Sequence, residues 1–227
     1  MEAFHVIATH PQILAGTGDC NSQYDVFGNF SRAITPNGTP SPHLQWDPTE
    51  QEIFDAITDK RLDEDSMAMI PEGMTARAFA AHVARERLRS AVPDVDTYCD
   101  AEINDSMYFT LFPNFHPWGA FYRINYRFRP VGTKVDECIM ECIYTEDFEG
   151  DERPAPAEYI ELGIDQEWTE LIPVIGNLAR VFHQDSFNLP KVQKGLETFR
   201  ADGLTLTKYQ EVKIRHWHAM AERFIAN

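Results

Sequence analysis

The chain predicts an α+β fold, an antiparallel sheet with helices packed on one face. Three strand-like segments, Tyr108–Phe112, Ala120–Phe128 and Glu137–Tyr144, follow one another with short connections. Helical periodicity is confined to segments on either side of them. Strands that run together, followed by helices, argue for segregated layers over a strand–helix alternation.

Taken in order, Glu2 to about Ala8 reads as a short helix, with His10 in the turn after it because Pro11 pushes the preceding residue out of the helical region. Residues 16–48 are rich in turn formers. Phe27-Gly28-Asn29-Phe30 and Ala33-Ile34 suggest short strands there, and Pro36-Asn37-Gly38-Thr39 a turn. A helix is expected from Thr49 to about Ile57, where Thr49 and Glu52 have capping-box spacing. Lys60 to Pro71 is polar and acidic and reads as a surface loop or lid. Thr75 to Val92 carries a three-four rhythm through Phe79, Ala80, Val83, Arg87 and Leu88, and Pro93 closes it. The last two strands are joined by a turn at Pro130-Val131-Gly132-Thr133. After an acidic insert from Glu146 to Pro156, helices are expected over Leu189–Arg200 and Leu206–Ile225. The second has Ile214, Trp217, Ala221 and Phe224 on one face.

Composition narrows the function classes. Lys and Arg number 20 against 36 Asp and Glu, a net charge of −16. That balance argues against a phosphate-binding surface for nucleic acid and against anionic membranes. A hydrophobic fraction of 43% suffices for a real core. No apolar run is long enough to span a bilayer, and no signal pattern follows Met1. The four scattered cysteines read as free thiols, so a cytoplasmic protein is expected.

The chemistry-bearing feature is the pair His5 and His10. Neighbours on one helix face lie three or four residues apart, so a five-residue step points the second ring away. The two can share a metal only if the helix ends between them, which Pro11 allows. The alternative is two unrelated polar side chains.

Further segments carry a resemblance. Glu2-Ala3-Phe4-His5-Val6 with His10-Pro11, Leu111-Phe112-Pro113-Asn114-Phe115-His116, Tyr126-Arg127-Phe128-Arg129-Pro130-Val131-Gly132, and Gln184-Asp185-Ser186 with Gln193-Lys194-Gly195-Leu196 occur in this order. Together the chain resembles the catalytic domain of the Rieske non-haem iron oxygenases, the aromatic-ring-hydroxylating dioxygenases, over essentially its whole length.

That resemblance implies a helix-grip fold, a curved sheet around a long C-terminal helix, as one catalytic domain over residues 1–227 that is shortened at its N-terminus. It implies Fe(II) bound by His5, His10 and Asp185, an arrangement that leaves positions open for dioxygen. Glu2 stands where the family has an acidic bridge for electron transfer between subunits, usually Asp. His183 is a rival ligand or a supporting residue beside the ligands, and Asn114 a second supporting residue. Val6, Ile124, Val181 and Phe182 are candidates for an apolar substrate pocket. The implied reaction is mono- or dioxygenation of an aromatic or polycyclic hydrophobic substrate in catabolism. The family also needs a [2Fe–2S] Rieske cluster with two Cys and two His ligands. Cys20, Cys99, Cys138 and Cys142 form no Cys-x-His pair. A Rieske domain or ferredoxin on another chain, with its reductase, would therefore have to supply electrons, and a homotrimer is the implied assembly. The competing reading is a metal-free helix-grip module that binds a hydrophobic ligand.

Overall fold

The computed structural model describes residues 2–18, 22–58, 68–119, 121–145 and 151–226, apart from the side chains of residues 2–4 and 177. Cys20, most of the expected 60–71 loop and the start of the acidic insert lie outside the described residues.

Six strands form one antiparallel sheet in strictly sequential order: β1 (Gln23–Val26), β2 (Phe30–Thr35), β3 (Ser106–Leu111), β4 (Phe115–Pro117), β5 (Ile124–Pro130) and β6 (Cys138–Tyr144). The described helices are α1 (Glu2–Thr9), α2 (Glu50–Thr58), α3 (Ala76–Leu88), α4 (Asp100–Asn104), α5 (Trp168–Leu171), α6 (Asn177–Thr198) and α7 (Val212–Ala226). This is the α+β, helix-grip-like arrangement that the sequence predicts.

Directly opposed residues share a sheet face. Register therefore puts Tyr24, Ala33 and Tyr108 on one face, and His116, Tyr126 and Cys142 likewise. Onto that face α6 packs Ala179 and Phe182, which join Ile124, Trp168 and Ile175 in the main core. The other helix, α7, packs against β1 and β2. On the opposite face, Arg127 and Arg129 both donate to Glu141, at 2.6 and 2.7 Å. The arginines of the Arg-Phe-Arg-Pro segment thus tie β5 to β6.

Local signals explain most element ends. Thr49 and Glu52 form the capping box at the start of α2: the Thr49 N–H donates to Glu52 Oε2 at 2.8 Å, and Thr49 Oγ1 accepts from the Glu52 N–H. Thr75 caps α3 by accepting from the Ala78 N–H. Gly132, at φ 58°, supplies the left-handed residue of the β5–β6 turn.

The two sides of α3 bury into different clusters. Ala76 and Phe79 meet Ile53 and Phe54 of α2, and Ala81 and Leu88 meet Val95 and Ile103. Val83, counted above in a single stripe, is consequently exposed. A polar knot binds this layer to the sheet. Arg77 of α3 donates to both oxygens of Asp105, at 2.6 and 3.1 Å, and to the Asn37 carbonyl. The Asn37 N–H donates to the same Asp105. Hydrogen bonding to Asp105 holds the Arg77 pKa above its ordinary value, against the opposing pull of burial.

Several elements depart from the sequence reading: β5 begins at Ile124 where the sequence predicts a strand from Ala120, which lies outside the described residues, and α7 begins at Val212 where it predicts a helix from Leu206. Residues 27–29 form the β1–β2 turn instead of a strand: the Phe27 N–H donates to the Phe30 carbonyl, and the two rings stack 4.6 Å apart. The helix expected from Leu189 begins at Asn177 and runs 22 residues straight through Pro190. No described helix is long and apolar enough to cross a membrane.

Candidate metal centre

The site is assembled from α1, the turn that follows it, and α6. The His10 N–H still bonds the Val6 carbonyl, completing the helix, but His10 itself sits at φ −125° and ψ 50°, outside the helical region. Pro11 then opens a short 3₁₀ turn. The break turns the His10 ring back towards that of His5, and the two meet edge to face with centroids 4.8 Å apart.

Asp185 comes from the middle of α6. Around that helix, Ala179, Phe182 and Ser186 are buried and line one stripe, which fits the three-four period of a core face. Gln184, Asp185 and Asn188 lie on another, facing α1 and the turn behind it. Asn188 donates to Thr9 Oγ1 at 2.7 Å, and Gln184 bonds His10 and Gln12. Three successive contacts thus register α6 against the segment that carries both histidines.

The resulting geometry is compact. His10 Nε2 lies 3.2 Å from His5 Nε2 and 3.1 Å from Asp185 Oδ1, and His5 Nε2 lies 3.2 Å from the same oxygen. The three donor atoms form a nearly equilateral triangle. One face of an octahedron with bonds of about 2.2 Å has edges of about 3.1 Å, so this triangle suits a single divalent metal bound on one side. Among the described residues, His5, His10 and Asp185 form a group that could hold such an ion. The side chain of His10 is almost fully buried at 4% exposure, while His5 keeps 37%, so solvent reaches the site past His5.

Protonation is suited to binding. His10 Nδ1 donates to Gln184 Oε1 at 2.8 Å, which leaves the Nε2 lone pair directed at the centre of the triangle. Burial works to raise the Asp185 pKa, but the nearby rings of His10 and His5 outweigh it and hold the carboxyl below its ordinary value. Asp185 is therefore an anionic donor at neutral pH.

The other sequence candidates are placed as follows. Glu2 opens α1, and its side chain lies outside the described residues. His183 is two positions before Asp185 on the same helix, about 200° around it, and so faces away. Its Nε2 lies 3.1 Å from Glu167 Oε2, just before α5. Asn114 closes the loop between β3 and β4: its amide donates to the Phe128 carbonyl and its own carbonyl accepts from the Phe128 N–H. Ile124 and Phe182 are buried in the core under α6, Val6 is buried in α1, and Val181 is half-buried. Gln184 and Asn188 are the contributors that sequence reasoning missed as functional. Only the acid-adjacent position of Gln184 hinted at its role.

A cavity of about 400 Å³ opens between α7 and the sheet, with Tyr108, His116, Tyr126, Lys213 and Trp217 among its walls. The Tyr126 ring lies 6.0 Å from that of Phe182, one helical turn before Asp185. One aromatic contact therefore links the cavity wall to the helix that carries the third donor.

Searches of curated proteins and of solved structures returned no match. Residues 1–227 match the family described as ring hydroxylating alpha subunit (catalytic domain). With that match spanning the whole chain and the sheet, the helices and the histidine–carboxylate group all in place, the chain belongs to the ring-hydroxylating alpha subunit family, over its catalytic domain.

Proposed function

We propose that the chain is the catalytic domain of a non-haem iron oxygenase that hydroxylates an aromatic or polycyclic hydrophobic substrate, with Fe(II) held by His5, His10 and Asp185. The observation that carries this reading is the triangle of donor atoms with edges of 3.1–3.2 Å. Two imidazoles and one carboxylate also suit zinc, and family membership is what favours iron. The chemistry supplied by bound iron is reductive activation of dioxygen, with electrons from an external donor.

The residues of the chain hold, orient and insulate. Gln184 fixes the tautomer and rotation of His10. Asp185 contributes the single negative charge, so the site keeps a net positive charge with a divalent ion. Val6 and Phe182, both buried, keep water from the inner side, and the half-exposed edge at His5 is the side open to reactants. The sequence contains no Cys-x-His pair, so the electron donor on this reading is a [2Fe–2S] protein or domain outside these residues, served by a reductase. On this reading Glu2 would serve as the acidic bridge for electron transfer from that donor, in a homotrimer in the cytoplasm.

Anaerobic loading with Fe(II), followed by metal analysis, tests the proposal. About one iron per chain is expected, lost in both His10→Ala and Asp185→Ala. Binding well below one per chain, or full retention in either variant, overturns it. Tighter stoichiometric binding of zinc with no iron uptake would overturn the choice of metal.

A further inference from the structure

We infer that β6 is a docking edge for a second copy of this chain, whose own β6 pairs with it antiparallel about a two-fold axis at Glu141.

The two edges of the sheet differ. β1 is covered: α7 packs against it, and the Tyr24 N–H donates to Tyr209 Oη at 3.4 Å. β6 pairs with β5 along all seven of its residues, and among the described residues no strand pairs with its other side. An uncovered edge presents a row of N–H and C=O groups that templates another strand, and proteins usually guard it with lysine, proline or a short length. β6 reads Cys-Ile-Met-Glu-Cys-Ile-Tyr and has none of these guards. Its single charge, on Glu141, is taken up by Arg127 and Arg129 of β5.

The strand itself says which occupant fits. A two-fold axis at Glu141 sets residues equidistant from it opposite one another. On the face that carries the arginines, Ile139 meets Ile143 of the second copy, and the same pair recurs on the other side of the axis. Both side chains are exposed in the single chain, at 40% and 36%. Two such apolar cross-strand pairs favour association. On the opposite face Met140 meets Cys142, and Cys138 meets Tyr144.

Charge complements the fit at the axis, where the two Glu141 side chains come together. Each copy brings two guanidinium groups and one carboxylate. Both arginines spend their Nε on Glu141 of their own chain, and among the described residues their terminal nitrogens make no further hydrogen bond. These donors suit the second carboxylate. Two carboxylates among four guanidiniums leave a local positive excess, which offsets the repulsion between two chains of net charge −16. Pairing over the whole strand adds on the order of six to eight main-chain hydrogen bonds, the count of a specific interface.

This assignment does not rest on the oxygenase reading, so the test uses the metal-free full chain. Sedimentation equilibrium of the native chain is expected to give an even number of copies. Ile139→Lys combined with Ile143→Lys sets lysines opposite each other. It should halve that number, weakening the pairing at least about 100-fold, with native circular dichroism. Arg127→Gln combined with Arg129→Gln leaves the two carboxylates facing each other bare, and should also separate the copies. Met140→Cys tests the register. Directly opposed residues lie about 4.5–5.5 Å apart at Cα, within the span of a disulfide, so this variant should cross-link to Cys142 of the second copy under diamide well beyond the native chain. Should the lysine variant lose its native dichroism, the cross-link decides alone. A single or odd number of copies, an unchanged number in the folded lysine variant, or no Met140→Cys cross-linking above the native level overturns the proposal, whatever the outcome of iron loading.

Discussion

His10 and Gln184, 174 positions apart, meet in a hydrogen bond of 2.8 Å that decides which ring nitrogen of His10 faces the metal centre. Gln12 also donates to the same oxygen at 2.8 Å, so Gln184 is held from a second side. Removing the acceptor frees the ring to rotate or to change tautomer. Gln184→Leu should weaken iron affinity by about 10–100-fold, the usual scale for a group that orients a ligand. Gln184→Glu, which keeps an acceptor, should bind within about tenfold of the native chain. Competition with a chelator of known affinity measures both, and a Gln184→Leu affinity within twofold of native would contradict the role.

The knot around Asp105 is expected to carry stability, not activity. Asp105 is 5% exposed and takes both nitrogens of the Arg77 guanidinium. Asp105→Ala leaves that charge without its carboxylate and also frees the Asn37 N–H. The loss should be about 3 kcal/mol, the low end for breaking a buried pair, because the Arg77 side chain retains 27% of its exposure. Urea unfolding of the variant measures it. A loss below about 1 kcal/mol would show that water replaces the carboxylate.

His116 should make the fold acid-sensitive above the range where carboxylates titrate. Its folded pKa lies near 4, against 6.5 for the unfolded side chain. Above 6.5 the ring is neutral in both states. As pH falls from 6.5 towards 4, the unfolded chain binds a proton that the folded chain refuses, so stability is lost across that window and the loss levels off below it. Between pH 7 and pH 5 the contribution is at most about 2 kcal/mol. Native and His116→Leu chains compared by urea unfolding at both pH values isolate it: the native chain should lose more. Equal losses would mean that the folded ring takes up its proton freely.

How far these features can be read from the sequence depends on where their partners lie. The break at His10 is legible because Pro11 acts on its immediate neighbour, and the capping box at Thr49 because both partners lie within one turn. The β5–β6 turn is legible through Gly132 for the same reason. Pro190 misleads. A proline removes one helical hydrogen bond, and the sequence suggests a helix start there, but the packed stretch before it keeps α6 continuous. Phe27 misleads through strand propensity, when Gly28-Asn29 after it marks the turn that leads into β2 at Phe30. Gln184 and Asn188 could not be placed at all. Their partners, His10 and Thr9, lie across the whole sheet in sequence, and no local pattern encodes such a distance.

Two of the three donors ride on one short segment, and the third belongs to a helix of 22 residues seated in the main core. Any excursion of the short segment withdraws both imidazoles in a single event, dropping the donor set from three to one with no intermediate of two. Ion release would then be timed by the detachment of α1 from α6 rather than by successive bond rupture, and anything pressing α1 onto α6 would act as a latch.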